Sequence, residues 1–157
     1  MKNHPAVLLT ILITFALSCN QINLYELHTS IPNQEWKSNY SCSGKFCVSD
    51  TSSPYNIYLV VRHTDAYAYN NLWINLETQA PGDSINVEKI NLELGDDKYG
   101  WHGIGMGDIW ETRKKLTLVP CKFKKTGSYS YKINHIMRDD PLKNVLSVGM
   151  RVQKTEN

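Results

Sequence analysis

The sequence lacks the features of several large classes of protein. Lysine and arginine number 17, and aspartate and glutamate 15, among the 157 residues, so neither sign of charge dominates. No basic block is present that could neutralise a run of phosphates, and we expect no nucleic acid among the partners. The Gly-Lys-Ser/Thr sequence of a nucleotide-binding loop is absent. No helix of three turns is indicated after residue 22.

Catalytic and metal-ligating patterns are missing as well. Apart from His4, the histidines are scattered, at positions 28, 63, 102 and 135. His63 lies near Asp65, but no serine or cysteine is marked as a nucleophile beside them. The acidic pairs at 96–97 and 139–140 lack the alternating spacing of a calcium loop and are more typical of surface turns. We therefore predict a protein that is not an enzyme, with no dedicated metal and no cofactor.

Cysteine is scarce, and one of the four follows the longest apolar segment. Residues 6–17 are apolar apart from two threonines and follow a short positive start, which is typical of a secretory signal peptide. A serine and then Cys19 come next, similar to the lipobox of bacterial lipoproteins, although Ala16 and Leu17 stand in exchanged order. We predict a signal peptide at 1–18 and covalent attachment of diacylglycerol and acyl chains at Cys19. The alternative is an ordinary secretory cleavage site that happens to lie near a cysteine.

The pairing of the other three cysteines is open. Cys42 and Cys47 could form a disulfide if the four residues between them turned. In a continuous strand, residues five apart point to opposite faces and could not pair. Cys121 has no marked partner, and the spacing of the three thiols is not that of a zinc site.

Short strands account for most of the pattern after residue 22. Alternating apolar residues, or β-branched and aromatic enrichment, predict strands at 55–61, 72–76, 129–133 and 146–152. Turn signals separate them, as at Pro81-Gly82-Asp83. Roughly seven to nine short strands with such turns favour an all-β, antiparallel β-sandwich over a closed barrel.

Three other segments are less regular. The apolar positions of residues 85–94 change phase, which predicts a β-bulge near Glu88-Lys89. Leu116–Val119 predicts a further strand, ended by a proline. The glycines at 103, 105 and 107 miss the spacing of a dinucleotide loop. We expect them to let a strand bend or let a neighbouring backbone approach closely.

These patterns divide the chain into three parts. The signal peptide occupies 1–18, a lipidated N-terminus with a linker or edge segment occupies 19–40, and the β-sandwich domain occupies 41–157. The middle part is polar from His28 to Tyr40. It would link the lipid to the domain or cover an edge of a sheet.

Aromatic residues next to polar ones mark a candidate interaction surface. We expect most aromatics to lie in the core, but Trp73 and Trp110 adjoin polar residues and are better candidates for exposed contact. The full candidate set is Tyr67, Tyr69, Asn70, Trp73, Trp101 and Trp110. An alternative use of the tryptophans at 73, 101 and 110 is stacking against sugar rings.

Several motifs follow one another between residues 36 and 152. They are Asp50-Thr51 before Tyr55–Arg62, the segment Tyr67–Trp73, the glycines that follow Trp101, and a C-terminal group at 127–129, 136–139 and 142–149. In this order and spacing, behind a lipobox, they resemble the gliding-motility lipoprotein GldH family of Bacteroidota.

The resemblance implies an envelope lipoprotein needed by the gliding machinery, which is coupled to type IX secretion. Its partners would be other envelope proteins of that apparatus and, through Cys19, the membrane. The family supplies no catalytic residues to carry over. For Arg62 and Arg138 in the matching motifs, the alternative to a docking role is internal pairing with Asp65 and Asp139.

Location and the competing function are further expectations. Surface-exported lipoproteins of these bacteria often carry acidic residues just after the cysteine, and residues 20–25 have none. We therefore expect a periplasm-facing protein, with the outer membrane favoured. The competing function is a glycan-binding envelope lipoprotein.

Overall fold

Strands make up nearly all of the regular structure in residues 24–155, the part of the chain that this computed structural model describes. The signal peptide and Cys19 lie outside the described residues. The strands are β1 Leu24–Ser30, β2 Glu35–Trp36, β3 Cys42–Val48, β4 Tyr55–Thr64, β5 Asn71–Gln79, β6 Asn86–Glu93, β7 Gly95–Asp96, β8 Gly100–Trp101, β9 Ile104–Met106, β10 Ile109–Lys115, β11 Gly127–His135, β12 Leu142–Lys143 and β13 Val145–Lys154. A single 3-10 turn, Pro32–Gln34, follows β1.

Two antiparallel sheets contain most of these strands. The first has the order β1-β13-β4-β10-β9 and the second the order β3-β11-β5-β6. Two-stranded pairs, β2 with β12 and β7 with β8, complete the pairing within residues 24–155. The predicted all-β antiparallel sandwich is confirmed. No helix in this part of the chain has the length and apolar character needed to cross a membrane.

The core lies between the sheets, where alternate residues of each strand meet. In β5, Leu72, Ile74 and Leu76 are buried, as their alternation predicts. Leu59 and Val61 of β4 are fully buried in the facing sheet. Because both sheets send one face of every central strand inward, the apolar alternation of the sequence maps directly onto the core.

The two ends of the sandwich carry different sets of loops. β1 runs from Leu24, which pairs with Gln153, to Ser30, which pairs with Ser147. We call the end at Leu24 the proximal end; it also carries the loops at 49–54, 80–85 and 116–126. The opposite, distal end carries the loops at 65–70, 94–103 and 136–144.

The N-terminal part of the described chain belongs to the sandwich. β1, residues 24–30, is itself the edge strand of the first sheet, beside β13. Trp36 is fully buried, and its indole N–H donates to the carbonyl of Tyr40 at 2.8 Å. The sandwich thus includes residues on the N-terminal side of position 41.

Two of the strand predictions are wrong. β5 and β6 pair in an unbroken register from Asn71–Glu93 to Thr78–Asn86, so there is no bulge near Glu88. Ile85 and Val87 produced the apparent change of phase because they are apolar residues on the solvent side, each more than half exposed. The irregular pairing lies instead in β13, between Val145 and Ser147.

The second wrong prediction is the strand at Leu116–Val119. β10 ends at Lys115, and the chain then leaves the sheet. Leu118 is completely exposed and Val119 is 72% exposed. Leu116 packs against the core, but Leu118 and Val119 are apolar without being buried in the sandwich.

Candidate functional site

Three of the candidate surface residues meet in an aromatic cluster at the distal end of the core. Tyr67 is only 4% exposed, and its hydroxyl donates to the carbonyl of Asn71 at 3.0 Å. Its ring centroid lies 5.9 Å from that of Tyr69 and 6.3 Å from that of Trp101. Trp101 in turn packs edge-on against buried His63 at 4.6 Å. Such geometry stabilises a core, so Tyr67 is a packing residue, whereas Trp101 packs on the same cluster and stays partly exposed.

The remaining candidates do not join this cluster. Trp73, on β5 of the second sheet, is 41% exposed, and its backbone N–H donates to the sulfur of Met137 at 3.2 Å. Trp110 is half-buried on β10 of the first sheet. Asn70 is exposed, and its carbonyl accepts the N–H groups of residues 94 and 95. The six candidates are therefore not one continuous surface.

A groove of about 530 Å³ opens at the distal end, and we call it the distal groove. Tyr69 lines one side, and Arg138 and Asp139 line the other. The Tyr69 hydroxyl donates to the Asp139 carboxylate at 2.7 Å, and this hydrogen bond raises the pKa of Tyr69. Two segments that are 70 residues apart are thereby joined at one site.

Polar contacts hold the walls of the distal groove in place. Asp140 accepts hydrogen bonds from the backbone N–H of Ser38 at 2.9 Å and from its hydroxyl. These bonds lower the pKa of Asp140. The side-chain amide of Asn144 donates to the carbonyl of Ala66 at 2.8 Å. The groove is thus tied to the segment after β1 and to the loop after β4.

Positive charge is available in the distal groove. Arg138 and Lys143 are exposed, and neither makes an ion pair with another of the residues 24–155. Asp139 is engaged by Tyr69 rather than by Arg138. The expected internal pairing of Arg138 with Asp139 is therefore wrong, and its guanidinium can contact a partner.

The glycine-rich segment has a structural explanation, as expected. A Cβ atom at Gly103 would lie 2.1 Å from the carbonyl oxygen of Glu111, and its φ is +104°. A Cβ at Gly105 would lie 3.0 Å from the ring of Trp110, its cross-strand partner. These glycines let β9 approach β10 closely. The hairpin leaves Ile104 70% and Met106 78% exposed on an edge strand; we call these two residues the edge patch.

A chain of ion pairs crosses the outer face of the first sheet. It alternates in charge through Arg151, Glu26, Arg113, Glu111 and Arg62, with N–O distances between 2.5 and 3.7 Å. Burial alone would raise the pKa values of Glu26 and Glu111. The hydrogen bonds and the nearby arginine charges together outweigh it, so both pKa values are lower than usual. Arg62 therefore pairs with Glu111 rather than with Asp65. No local pattern in the sequence indicates this chain of ion pairs, because its members come from four strands.

Two partly exposed histidines lie against carboxylates, His28 against Glu26 at 2.7 Å and His102 against Asp96 at 2.6 Å. His63 is fully buried, its Nδ1 lies 2.8 Å from the carbonyl oxygen of Thr64, and burial lowers its pKa. Within residues 24–155 no group of three potential metal ligands is found. Cys42 is buried, with its pKa raised to about 12, whereas Cys47 is exposed on the other face of β3. These two and Cys121 are free thiols in the described part of the chain.

Comparisons with known proteins agree with one another. A family model described as GldH lipoprotein matches residues 23–152. The gliding motility lipoprotein GldH homolog of Christiangramia forsetii is 25% identical over 147 residues, which cover 89% of each chain. The gliding motility lipoprotein GldH of Flavobacterium johnsoniae is 23% identical over 163 aligned positions, which cover 99% of each chain. No solved structure matches the chain.

Proposed function

The chain belongs to the GldH lipoprotein family, and on that premise we propose that it is a lipid-anchored accessory protein of the gliding motility and type IX secretion machinery. It acts by binding other envelope proteins of that apparatus rather than by catalysis. Family membership implies a membrane-anchored place in the cell envelope. The family resemblance of the sequence motifs is confirmed by the match.

The lipid at Cys19 would orient the domain. Leu24 lies five positions after Cys19, and five extended residues span at most about 18 Å. The proximal end of the sandwich is therefore held near the membrane, and the distal end points away from it. Two or three acyl chains bind far more firmly than one, and confinement to a thin layer raises the effective concentration against membrane partners.

The observation that carries the docking proposal is the distal groove. It lies at the end that the tether leaves free, and it joins Tyr69 with Arg138 and Asp139 from two separate sequence motifs. Its lining pairs two cations, Arg138 and Lys143, with the carboxylates of Asp139 and Asp140, which favours a partner segment that carries charges of both signs. The groove is open and its lining mixes polar and apolar groups, which suits protein recognition better than the enclosed, largely apolar pocket typical of small ligands.

The first experiment deletes the gene in the native host and complements it with wild-type and Cys19→Ala versions. Spreading on agar and release of type IX cargo are scored together. We expect both to be lost on deletion and restored only by the form that can be acylated. Normal spreading and secretion after deletion would remove the motility role, and a glycan array with the wild-type and Trp73→Ala proteins would then test the glycan-binding alternative.

The second experiment tests the distal groove. Arg138→Glu should abolish complementation at wild-type protein levels, because it reverses the charge that faces the partner. Lys89→Glu is the matched control, since Lys89 is an exposed cation on β6 of the second sheet. If the Arg138→Glu and Lys89→Glu proteins complement the deletion equally well, the contact with the partner lies outside the distal groove.

A periplasm-facing position, with the outer membrane favoured, is part of the same proposal. It is supported by the absence of acidic residues between Cys19 and Glu26. Protease added to intact cells should leave the protein undigested, and after membrane permeabilisation it should be cleaved. Ready digestion in intact cells would contradict this position.

A further inference from the structure

The end of β10 and the loop that follows it combine positive charge with exposed apolar side chains. We call residues 113–125 the basic loop. It contains six cations and no acidic residue; they are Arg113, Lys114, Lys115, Lys122, Lys124 and Lys125, and all six are exposed. At its tip, Leu118 is completely exposed and Val119 is 72% exposed. A loop that served only for solubility would not place two branched aliphatic side chains in water at its tip.

The body of the basic loop is fixed on the sandwich, and its tip is free. Cys121 and Tyr55 exchange two backbone hydrogen bonds of 2.8 Å. The ring of Phe123 packs on that of Tyr55, with the centroids 5.1 Å apart. By contrast, the described residues accept no hydrogen bond from the backbone N–H of Leu118 or Val119. The loop is therefore a stalk that is held to the sandwich at its base and carries an exposed apolar tip.

The stalk stands at the proximal end of the sandwich. Lys115 pairs with Tyr58 near the start of β4. Tyr55, which holds Cys121, pairs with Lys154 at the end of β13. Leu24 pairs with Gln153, the residue before Lys154. The chain therefore leaves toward Cys19 at the same end as the basic loop.

Ion pairs neutralise two of the six cations of the basic loop. Asp83 pairs with Lys125 at 2.6 Å, and Arg113 pairs with Glu111 and Glu26 on the outer face of the first sheet. Lys114, Lys115, Lys122 and Lys124 make no ion pair with any residue in 24–155. Four unpaired lysines thus flank the apolar tip in the sequence, two on each side.

We propose that the basic loop is a second membrane contact, which inserts Leu118 and Val119 among the lipid headgroups while its unpaired lysines bind anionic lipid. The proposal rests on the lipid attachment at Cys19 in the proposed function, because the short tether brings this end to the bilayer. Each lysine near an anionic surface is attracted to it, and the aliphatic tip gains by leaving water. The second contact would fix the tilt of the domain, so that the distal groove keeps one direction relative to the membrane.

Hydrogen–deuterium exchange of the full lipidated protein in nanodiscs tests this contact. The protein is purified from host membranes and placed in nanodiscs of pure phosphatidylglycerol, in nanodiscs of pure phosphatidylcholine, and in detergent. We expect exchange of the peptide 116–121 to be slowest in phosphatidylglycerol, by about fivefold for each lysine that reaches the headgroups. Raising the salt from about 0.1 M to about 1 M shortens the screening length from about 10 Å to about 3 Å and should remove most of the difference.

Matched variants separate the contributions of the apolar tip and of the lysines to the protection of peptide 116–121 from exchange. Leu118→Asp with Val119→Asp should abolish the protection, and Lys122→Gln with Lys124→Gln should reduce it more than tenfold. The control for the apolar tip is Ile104→Asp with Met106→Asp at the distal end, and the control for the lysines is Lys89→Gln with Lys98→Gln. Both controls should leave the protection of peptide 116–121 unchanged. Since Leu118 and Val119 contact water rather than the core, their replacement leaves the fold intact.

The outcomes distinguish this proposal from the function on which it rests. Mass spectrometry of the same sample reports whether Cys19 carries lipid; an unmodified cysteine would overturn the anchoring and this contact together. A lipidated protein whose peptide 116–121 exchanges equally in detergent and in both nanodiscs would overturn the second contact alone. Protection that is equal on both lipids would overturn the role of the lysines.

Discussion

His63 and His135 are uncharged aromatic groups in the core, and they make the fold sensitive to mild acid. Each is at most 1% exposed, and burial lowers the pKa of both. In the unfolded chain each takes up a proton below an ordinary pKa of about 6.5. The unfolded state then binds more protons than the folded state, so stability is full above that pKa and falls as the pH drops below it.

We expect the midpoint of thermal unfolding to fall by several degrees between about pH 7.5 and about pH 5.5. Replacement of either histidine by phenylalanine, which keeps an aromatic ring but cannot take up a proton, should weaken the dependence of the unfolding midpoint on pH. Calorimetry of the wild-type and of the His63→Phe and His135→Phe proteins across this range is the measurement. An unchanged slope in both variants would show that other groups titrate.

Gly103 gives a prediction about backbone geometry at a single residue. A side chain there would meet the Glu111 carbonyl at 2.1 Å in a left-handed conformation. Gly103→Ala should cost about 3 kcal/mol or more of unfolding free energy, because β9 must move away from β10. Gly107 also has a positive φ, but nothing lies within 4 Å of its Cβ position. Gly107→Ala should therefore cost only about 1 kcal/mol, and equal losses in urea unfolding would contradict the close approach.

Single residues also show where reading the sequence reaches its limit. The sequence leaves the pairing of Cys42 and Cys47 open, and the continuous strand β3 resolves it by placing one inside and one outside. For Arg62 and Arg138 the sequence offers near neighbours as partners, whereas the structure pairs Arg62 with Glu111 on the next strand. Local sequence indicates what a residue could pair with, but strand register decides what it meets.

Strands are predictable where apolar residues alternate and one face is buried. β5, β11 and β13 meet this condition, and their alternating apolar residues supply core side chains such as Leu72, Ile133 and Val148. β4 is predicted instead from its aromatic and β-branched residues, and its Leu59, Val60 and Val61 are all fully buried. The prediction for β6 fails because Ile85 and Val87 lie on the solvent side, and the prediction for the basic loop fails because its apolar tip faces out of the protein. An apolar pattern indicates that the side chains pack against something, and this need not be the protein's own core.

The edge strand β9 yields a prediction at its exposed face. Ile104 and Met106 point to solvent on a strand that pairs on one side with β10. If the distal end docks on a partner, Ile104→Asp with Met106→Asp should reduce spreading and cargo release severalfold. Their unfolding free energy should change by less than about 0.5 kcal/mol each, because both side chains are already exposed.

The matched control is Ile85→Asp with Val87→Asp, which alters two similarly exposed residues at the proximal end, one just before β6 and one within it. It should leave spreading and cargo release intact. Equal loss in both variants would point to folding or export rather than docking, and no loss in either would remove the edge patch from the contact region.

For the molecule as a whole, we propose that the two ends of the sandwich have different functions. The proximal end would carry the tether, and it carries the basic loop; the distal end carries the distal groove and the edge patch. The sequence indicates the lipid site and the sandwich, since both leave local patterns. It does not indicate the groove, because Tyr69 and Asp139 are 70 positions apart. Nor does it indicate the basic loop, because a nearly balanced net charge conceals a local excess of lysine.

Site-specific photo-crosslinking in the native host tests this orientation most directly. A photoreactive amino acid replaces Ala68, an exposed residue of the distal groove, in one strain and Lys89 in another, and crosslinked products are identified from washed membranes by mass spectrometry. We predict that position 68 forms crosslinks to envelope proteins of the motility and secretion apparatus, and that position 89 forms none. Crosslinks to lipid at position 68, or the same protein products at both positions, would contradict a distal end that docks on that machinery.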